Sequence, residues 1–372
     1  MTKMIGLIVN PIAGMGGSVG LKGTDGEMIE RARELGAEPV TPERTQAFLD
    51  HLATQEEIRW LIAPGPMGAC HVSNETMDFE VFGELKTDGT TTSADDTRRI
   101  ARQMQAAGID LLVFVGGDGT ARDVHDSLDA ETPVVGVPGG VKVYSGAFAL
   151  SPRAAAEMVG AFVAGADVTE AEVLDIDEAA FREDRLEAQP YGYLLVPNVQ
   201  ARLQPGKEGT RTTPDTVENK QDIAADIVER MDADTLYLLG PGTTMKAITD
   251  WLDIGKTLLG IDAVQSGQVV GADLNEEKIL ELLSAQPQRE IIVTPLGGSG
   301  FIFGRGNKPF TPKVLRRVGR EHITVVATEQ KMRQIEVLRV DTGDPELDAQ
   351  LNGYMQVVIG YGLSRVVKVQ AE

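Results

Sequence analysis

The chain has 372 residues, 42% of them hydrophobic, enough for two domains with sizeable cores. Its 56 acidic against 35 basic residues give a net charge of −21, which excludes a nucleic-acid binder and reads as the acidic surface of a protein from a salty cytoplasm. One cysteine and four histidines exclude an internal disulfide and argue against a Cys/His zinc site. No apolar run reaches the roughly 18 residues of a membrane span, and the start MTKMIGLIVNP lacks a signal-peptide pattern, so the expected location is the cytoplasm.

Strand and helix patterns alternate through the first 150 residues, which predicts a doubly wound parallel α/β layer. The expected strands are Ile5–Val9, Trp60–Ala63, Leu111–Val115 and Val134–Val137. The expected helices are Glu27–Leu35, Thr45–Leu52, Ala94–Ala107 and Ala121–Leu128, with Ser93 as a cap ahead of Asp95 and Asp96. Each strand runs into glycine or proline: Asn10-Pro11, Pro64-Gly65-Pro66, Gly116-Gly117 and Pro138-Gly139-Gly140. Ligands of open α/β sheets bind beyond the carboxyl ends of the strands, so four such loops describe a site.

From about residue 151 to 354 the pattern predicts a second, strand-rich domain with an α/β insert. A helix over 152–163 comes first, then short strand-like runs through Val199 and a Gly/Pro/Thr-rich loop over 203–215. Next come a helix over 217–231, a strand over 235–239, a glycine turn at 240–244 and a helix near 245–252. The apolar run Ile291–Val293 leads into TPLGGSGFIFGRGN at 294–307. The tail is strand-rich, and residues 355–372 are expected to return to the first domain.

The most informative stretch is LLVFVGGDGTARD at 111–123. A glycine turn between strand and helix presents free N–H groups that suit phosphate. A carboxylate there repels such a ligand, so Asp118 needs a reason. Two are available: taking the proton of an attacking hydroxyl, or holding Mg²⁺. A purely structural turn would need the glycines but not the aspartate. No elbow motif accompanies the histidines, and GxGxxG is absent after the first strand, which argues against a hydrolase triad and a dinucleotide oxidoreductase.

Asn10-Pro11-Ile12-Ala13-Gly14, Gly116-Gly117-Asp118-Gly119-Thr120 and Pro138-Gly139-Gly140, in that order and each after a strand, resemble the superfamily of NAD kinases, diacylglycerol kinases and sphingosine kinases. The rest of the chain resembles the ATP-NAD kinase-like group that includes the AcoX proteins. That resemblance implies an NAD kinase-like fold, an N-terminal parallel α/β sheet followed by a β-rich C-terminal domain. It implies a kinase passing a phosphoryl group from Mg-ATP, or polyphosphate, to the 2′-hydroxyl of NAD to give NADP. The alternatives are a lipid, polyol or small-metabolite kinase, and a non-catalytic nucleotide sensor. A homodimer or homotetramer is expected.

Carried over residue by residue, the resemblance makes Asp118 the general base and Gly116, Gly117, Gly119 and Thr120 the phosphate loop. Asn10, Gly14, Gly139 and Gly140 line the same edge. Asp123 stands where lipid kinases carry a glutamate and is the candidate Mg²⁺ or ribose ligand, or else an ordinary first-turn acid. Arg122 and Lys142 are candidate phosphate partners, Lys142 replacing the family's threonine or asparagine. Tyr144 and Ser145 are read as packing or as contacts to an adenine or sugar. Asp177-Glu178 replaces the NAD kinases' amide–acid pair. The substrate loop of those enzymes has two counterparts: Gly242, Thr243 and Thr244 within 240–246, preferred by chain order, and residues 294–301, which match it better by letter.

Overall fold

A computed structural model describes residues 2–17, 19, 21, 27–52, 57–72, 77–85, 92–139, 143–176, 188–199, 203 and 214–372. They form two compact units, essentially the residues up to 203 and those from 214 onward.

The first unit is built on a five-stranded parallel sheet of order β3-β2-β1-β4-β5. The strands are β1 Lys3–Val9, β2 Ile58–Ile62, β3 Phe79–Val81, β4 Leu111–Gly116 and β5 Val134–Pro138. Every residue of β4 and β5 is buried, as a parallel strand covered on both faces requires. Four of the strands were legible in the sequence. The fifth, β3, is three exposed residues at the sheet edge and carries no apolar run to betray it.

Helices span Glu27–Glu34, Thr41–Asp50, Ala94–Ala106 and Asp118–His125. Ser93 and Asp96 form a reciprocal capping box that fixes the start of the third. The second begins earlier than expected: Thr41 opens it with Pro42 in its first turn, and Val40 before it offers no side-chain cap. The fourth also starts early, so Asp118 is its first residue rather than part of the preceding turn. In this unit Phe48 meets Trp60 edge-on at 6.2 Å, and Phe114 meets Phe148 at 5.3 Å.

The first unit extends beyond residue 150 and takes in the helix Pro152–Val163, capped by Ser151. It also holds the antiparallel pair β6 Val168–Ile176 and β7 Ala188–Pro197. These segments group there because they pack on β5 and on the helix Asp118–His125.

The second unit carries a nine-stranded mixed sheet of order β10-β9-β8-β11-β13-β15-β16-β14-β12. Its strands are β8 Leu236–Leu239, β9 Asp262–Gln265, β10 Gln268–Gly271, β11 Arg289–Val293, β12 Phe301–Phe303, β13 Ile323–Val326, β14 Val337–Val340, β15 Gly353–Gly360 and β16 Leu363–Ala371. The tail does not return to the first sheet: β16 pairs with β14 and β15. The helix Pro214–Arg230 and the helix Thr243–Trp251 pack against each other. Most of the loop expected over 203–215 lies outside the described residues. Among the described residues, no helix is long and apolar enough to cross a membrane.

Candidate functional site

The strand order reverses direction between β1 and β4, and a doubly wound sheet opens its ligand crevice at such a reversal. The loops that leave β1, β4 and β5 meet there. Asn10 donates through Nδ2 to Thr120 Oγ1 at 3.0 Å, and its backbone N–H reaches Val115 O at 2.9 Å. The Asn10 carboxamide oxygen accepts from Ile12 N at 3.2 Å, turning the chain toward Gly14, which sits at φ 78°. Gly139 N donates to Gly116 O at 2.8 Å, so the turns after β4 and β5 are tied backbone to backbone. Gly116 has no room for a side chain, because a Cβ would overlap Thr120 Oγ1 and Cβ. A Cβ on Gly139 would lie 3.1 Å from Gly116 O. Gly119 is exposed, and a Cβ there meets only Arg122 Nη2 at 3.7 Å.

Asp118 opens the helix and reaches across to the loop after β5. Its Oδ1 accepts from Ser145 Oγ at 2.6 Å, Ser145 N at 2.8 Å and Tyr144 N at 3.1 Å; its Oδ2 accepts from Tyr144 N at 3.0 Å. Burial pushes the carboxyl above its ordinary range, while Ser145, Tyr144 and the nearby Arg122 guanidinium pull it back down. The puzzle of an acid in a glycine turn thus gains a third answer beside base and metal ligand: the carboxylate is itself an anion, held by the amides of Tyr144 and Ser145 in the loop after β5. Ser145 is fully buried and accepts Leu174 N at 3.0 Å, which fixes its own proton on Asp118. Tyr144 is buried beside it, and burial first, then the Asp118 charge, raises its phenol.

The flanking charges are paired. Arg122 bonds Asp175 through Nη1. Asp123 bonds Arg98 Nη2 at 2.7 Å, and Arg98 also reaches Asp95 at 3.0 Å. Burial raises the Asp123 carboxyl, against the opposing pull of Arg98. A carboxylate neutralised by arginine is a poor Mg²⁺ donor. Among the described residues no group of three or more His, Cys, Asp or Glu could hold a metal ion. Among the described residues, then, Asp123 is held by Arg98 rather than left free for Mg²⁺. His125, one turn on, packs edge-on against Tyr191 at 5.3 Å, and Tyr191 donates to Asp126 at 2.8 Å.

Asn10, Gly14, Gly116, Gly117, Asp118, Gly119, Thr120, Arg122, Asp123 and Gly139 all lie along the carboxyl edge of the first sheet or the helix that follows β4. Gly140, Lys142, Asp177 and Glu178 lie outside the described residues. Gly242, Thr243 and Thr244 belong to the second unit, where Gly242 at φ 120° precedes the helix Thr243–Trp251. Ser145 as the partner of Asp118 and Asp175 as the partner of Arg122 could not be foreseen from the sequence. The first pair is 27 residues apart and the second 53, and neither spacing leaves a local signal.

The ATP-NAD kinase N-terminal domain matches residues 5–167, and the ATP-NAD kinase C-terminal domain matches residues 232–369. The chain belongs to the ATP-NAD kinase family. Two solved structures from Bacillus anthracis str. Sterne, one described as a diacylglycerol kinase and the other provisionally so, are 16% identical to this family member with TM-scores of 0.21. Each similarity covers 47% of this chain and only 42% or 43% of the other, so it spans less than half of either protein. No curated protein matches the chain.

Proposed function

We propose that this protein transfers the terminal phosphoryl group of ATP, or of polyphosphate, to an alcohol, and that the alcohol is the 2′-hydroxyl of NAD. The observation that carries the reading is the meeting of Asn10, Thr120, Gly116, Gly139 and Asp118 at the β1/β4 reversal, within a chain of this family. Gly116, Gly117 and Gly119 let donor phosphates approach the backbone at the start of the Asp118–His125 helix. Positioning and charge neutralisation then do most of the work of phosphoryl transfer.

Asp118 is the base. Its Oδ1 is occupied by three donors, whereas Oδ2 carries one contact shared with Oδ1. Oδ2 takes the proton as the hydroxyl oxygen bonds to the terminal phosphorus and the bond to the leaving phosphate breaks. Arg122, half-buried near Asp118, is engaged by Asp175 and reaches the transferring group only by releasing that carboxylate.

An ATP-consumption screen with NAD, NADH, diacylglycerol and small polyols, at low and high salt, tests the proposal. Turnover with NAD that Asp118→Asn abolishes supports it. Turnover only with another acceptor replaces NAD by that acceptor, and undiminished turnover in Asp118→Asn removes Asp118 from its role. Tight nucleotide binding without turnover makes the protein a sensor.

A further inference from the structure

The second unit carries a groove of about 290 Å³ between the helices Pro214–Arg230 and Thr243–Trp251. Its wall on the first helix is Val217, Lys220 and Gln221; its wall on the second is Thr243, Lys246, Ala247, Asp250 and Trp251. Those spacings place each set on one helix face. The volume sits near the lower end of ordinary small-molecule sites, about 300 Å³.

Two features of this groove are open to a ligand. Trp251 leaves 55% of its surface in water, whereas the chain's other tryptophan, Trp60, is fully buried. Lys220 is partly buried and donates only to the Thr243 hydroxyl, at 2.9 Å; it makes no ion pair among the described residues. Burial without a counter-charge pulls its ammonium below the ordinary lysine range. Lys246, by contrast, is matched by Asp250 at 2.5 Å. The lining thus carries two lysines against one aspartate in a chain of net charge −21. An anion at Lys220 would supply a counter-charge that none of the described residues provides, and a flat ring on Trp251 would cover the exposed indole. Thr243 and Trp251 are eight residues apart on one helix, or roughly 12 Å along its axis. A ligand with an anionic end and a ring end spans such an interval.

We propose that this groove binds a nucleoside monophosphate, with the phosphate at Lys220 and Thr243 and the base against Trp251. The inference goes beyond the kinase reading. It uses only the second unit, and shares with that reading only Thr243.

Tryptophan fluorescence tests it on the full chain, with Trp251→Phe separating the signal of the exposed Trp251 from that of the buried Trp60. AMP is the probe; adenosine and inorganic phosphate are the comparison arms. Saturable quenching by AMP is expected, with adenosine and phosphate each binding at least about tenfold more weakly, the order of one charged hydrogen bond. Lys220→Gln, which keeps a donor for Thr243 but loses the charge, should weaken AMP by about tenfold or more at unchanged melting temperature. Trp251→Phe should abolish the quench and lower the calorimetric affinity. Absence of saturation at millimolar AMP, equal affinity for adenosine, or indifference to Lys220→Gln would each overturn the assignment. Asp118→Asn protein should bind AMP in the groove undiminished, so failure here and failure of phosphoryl transfer are read separately.

Discussion

Ser145 donates its hydroxyl proton to Asp118 Oδ1 at 2.6 Å and accepts Leu174 N at 3.0 Å, so one oxygen ties the helix after β4 to strand β6. Ser145→Ala removes both bonds at once inside a buried site. The expected cost is about 1–3 kcal/mol for the stranded Leu174 N–H, read by urea unfolding. The Asp118 carboxyl also loses a donor to its charged form and moves further up, which a pH–rate profile detects as a higher acid limb. A variant as stable as the parent, with an unmoved acid limb, would show that the bridge is idle.

Asp118→Asn should keep the fold, since the carboxamide oxygen still accepts from Tyr144 and Ser145. It removes the proton acceptor and should lower kcat by roughly 10²–10⁴. Steady-state rates beside a melting curve check this; equal losses in both would mean that the side chain matters only for folding.

The Asp118 carboxyl lies above its ordinary 3.8 mainly because it is desolvated. The folded chain therefore holds that proton more tightly than the unfolded chain does. Its contribution to stability is complete below about pH 3.8 and is lost as pH rises through the raised folded value. Phosphoryl transfer runs the other way, because the base must be ionised. Activity should fall as pH drops through that same raised value, with the acid limb above 3.8. Asp118→Asn should flatten this part of the stability–pH curve. An acid limb at or below 3.8 would contradict the assignment.

Two glycines of one motif should respond oppositely. Gly116→Ala drives a Cβ into Thr120 and should cost about 1–3 kcal/mol, what overpacking typically costs in a core. Gly119→Ala puts a methyl in open space within a helix and should stabilise by up to about 1 kcal/mol. If phosphates pass over Gly119, that stabilised protein nonetheless loses activity or donor affinity. Chemical denaturation and donor KM, measured together, separate the two effects.

The net charge of −21 should make the fold salt-dependent. Raising KCl from about 0.01 M to about 1 M shortens the screening length from roughly 30 Å to 3 Å. The melting temperature should climb across that range. A flat profile would mean that the acidic groups are compensated locally.

Much of the site was legible because its residues sit next to strand ends. Asn10, the glycines at 116–119 and Gly139 are punctuation that any parallel strand running into a ligand edge displays, and Ser93 announced its helix through its capping partner Asp96. What stayed hidden depends on contacts between distant segments. Nothing near Ser145 or Asp175 reveals that one serves Asp118 and the other Arg122. Asp123 read as a Mg²⁺ or ribose ligand, or as an ordinary first-turn acid, because Arg98, one helix earlier, gives no hint of reaching it. The tail was expected at the first sheet and joins the second, since alternation shows that a strand exists but not which neighbour it finds.

The loop at residues 143–145 is fastened by a side chain of the protein's own before any guest arrives. The disorder such a loop would otherwise surrender on each encounter is surrendered once, when the chain folds. Cutting the fastening at Ser145 should therefore appear in titration calorimetry as a less favourable binding entropy, even where the heat released per mole of donor hardly changes.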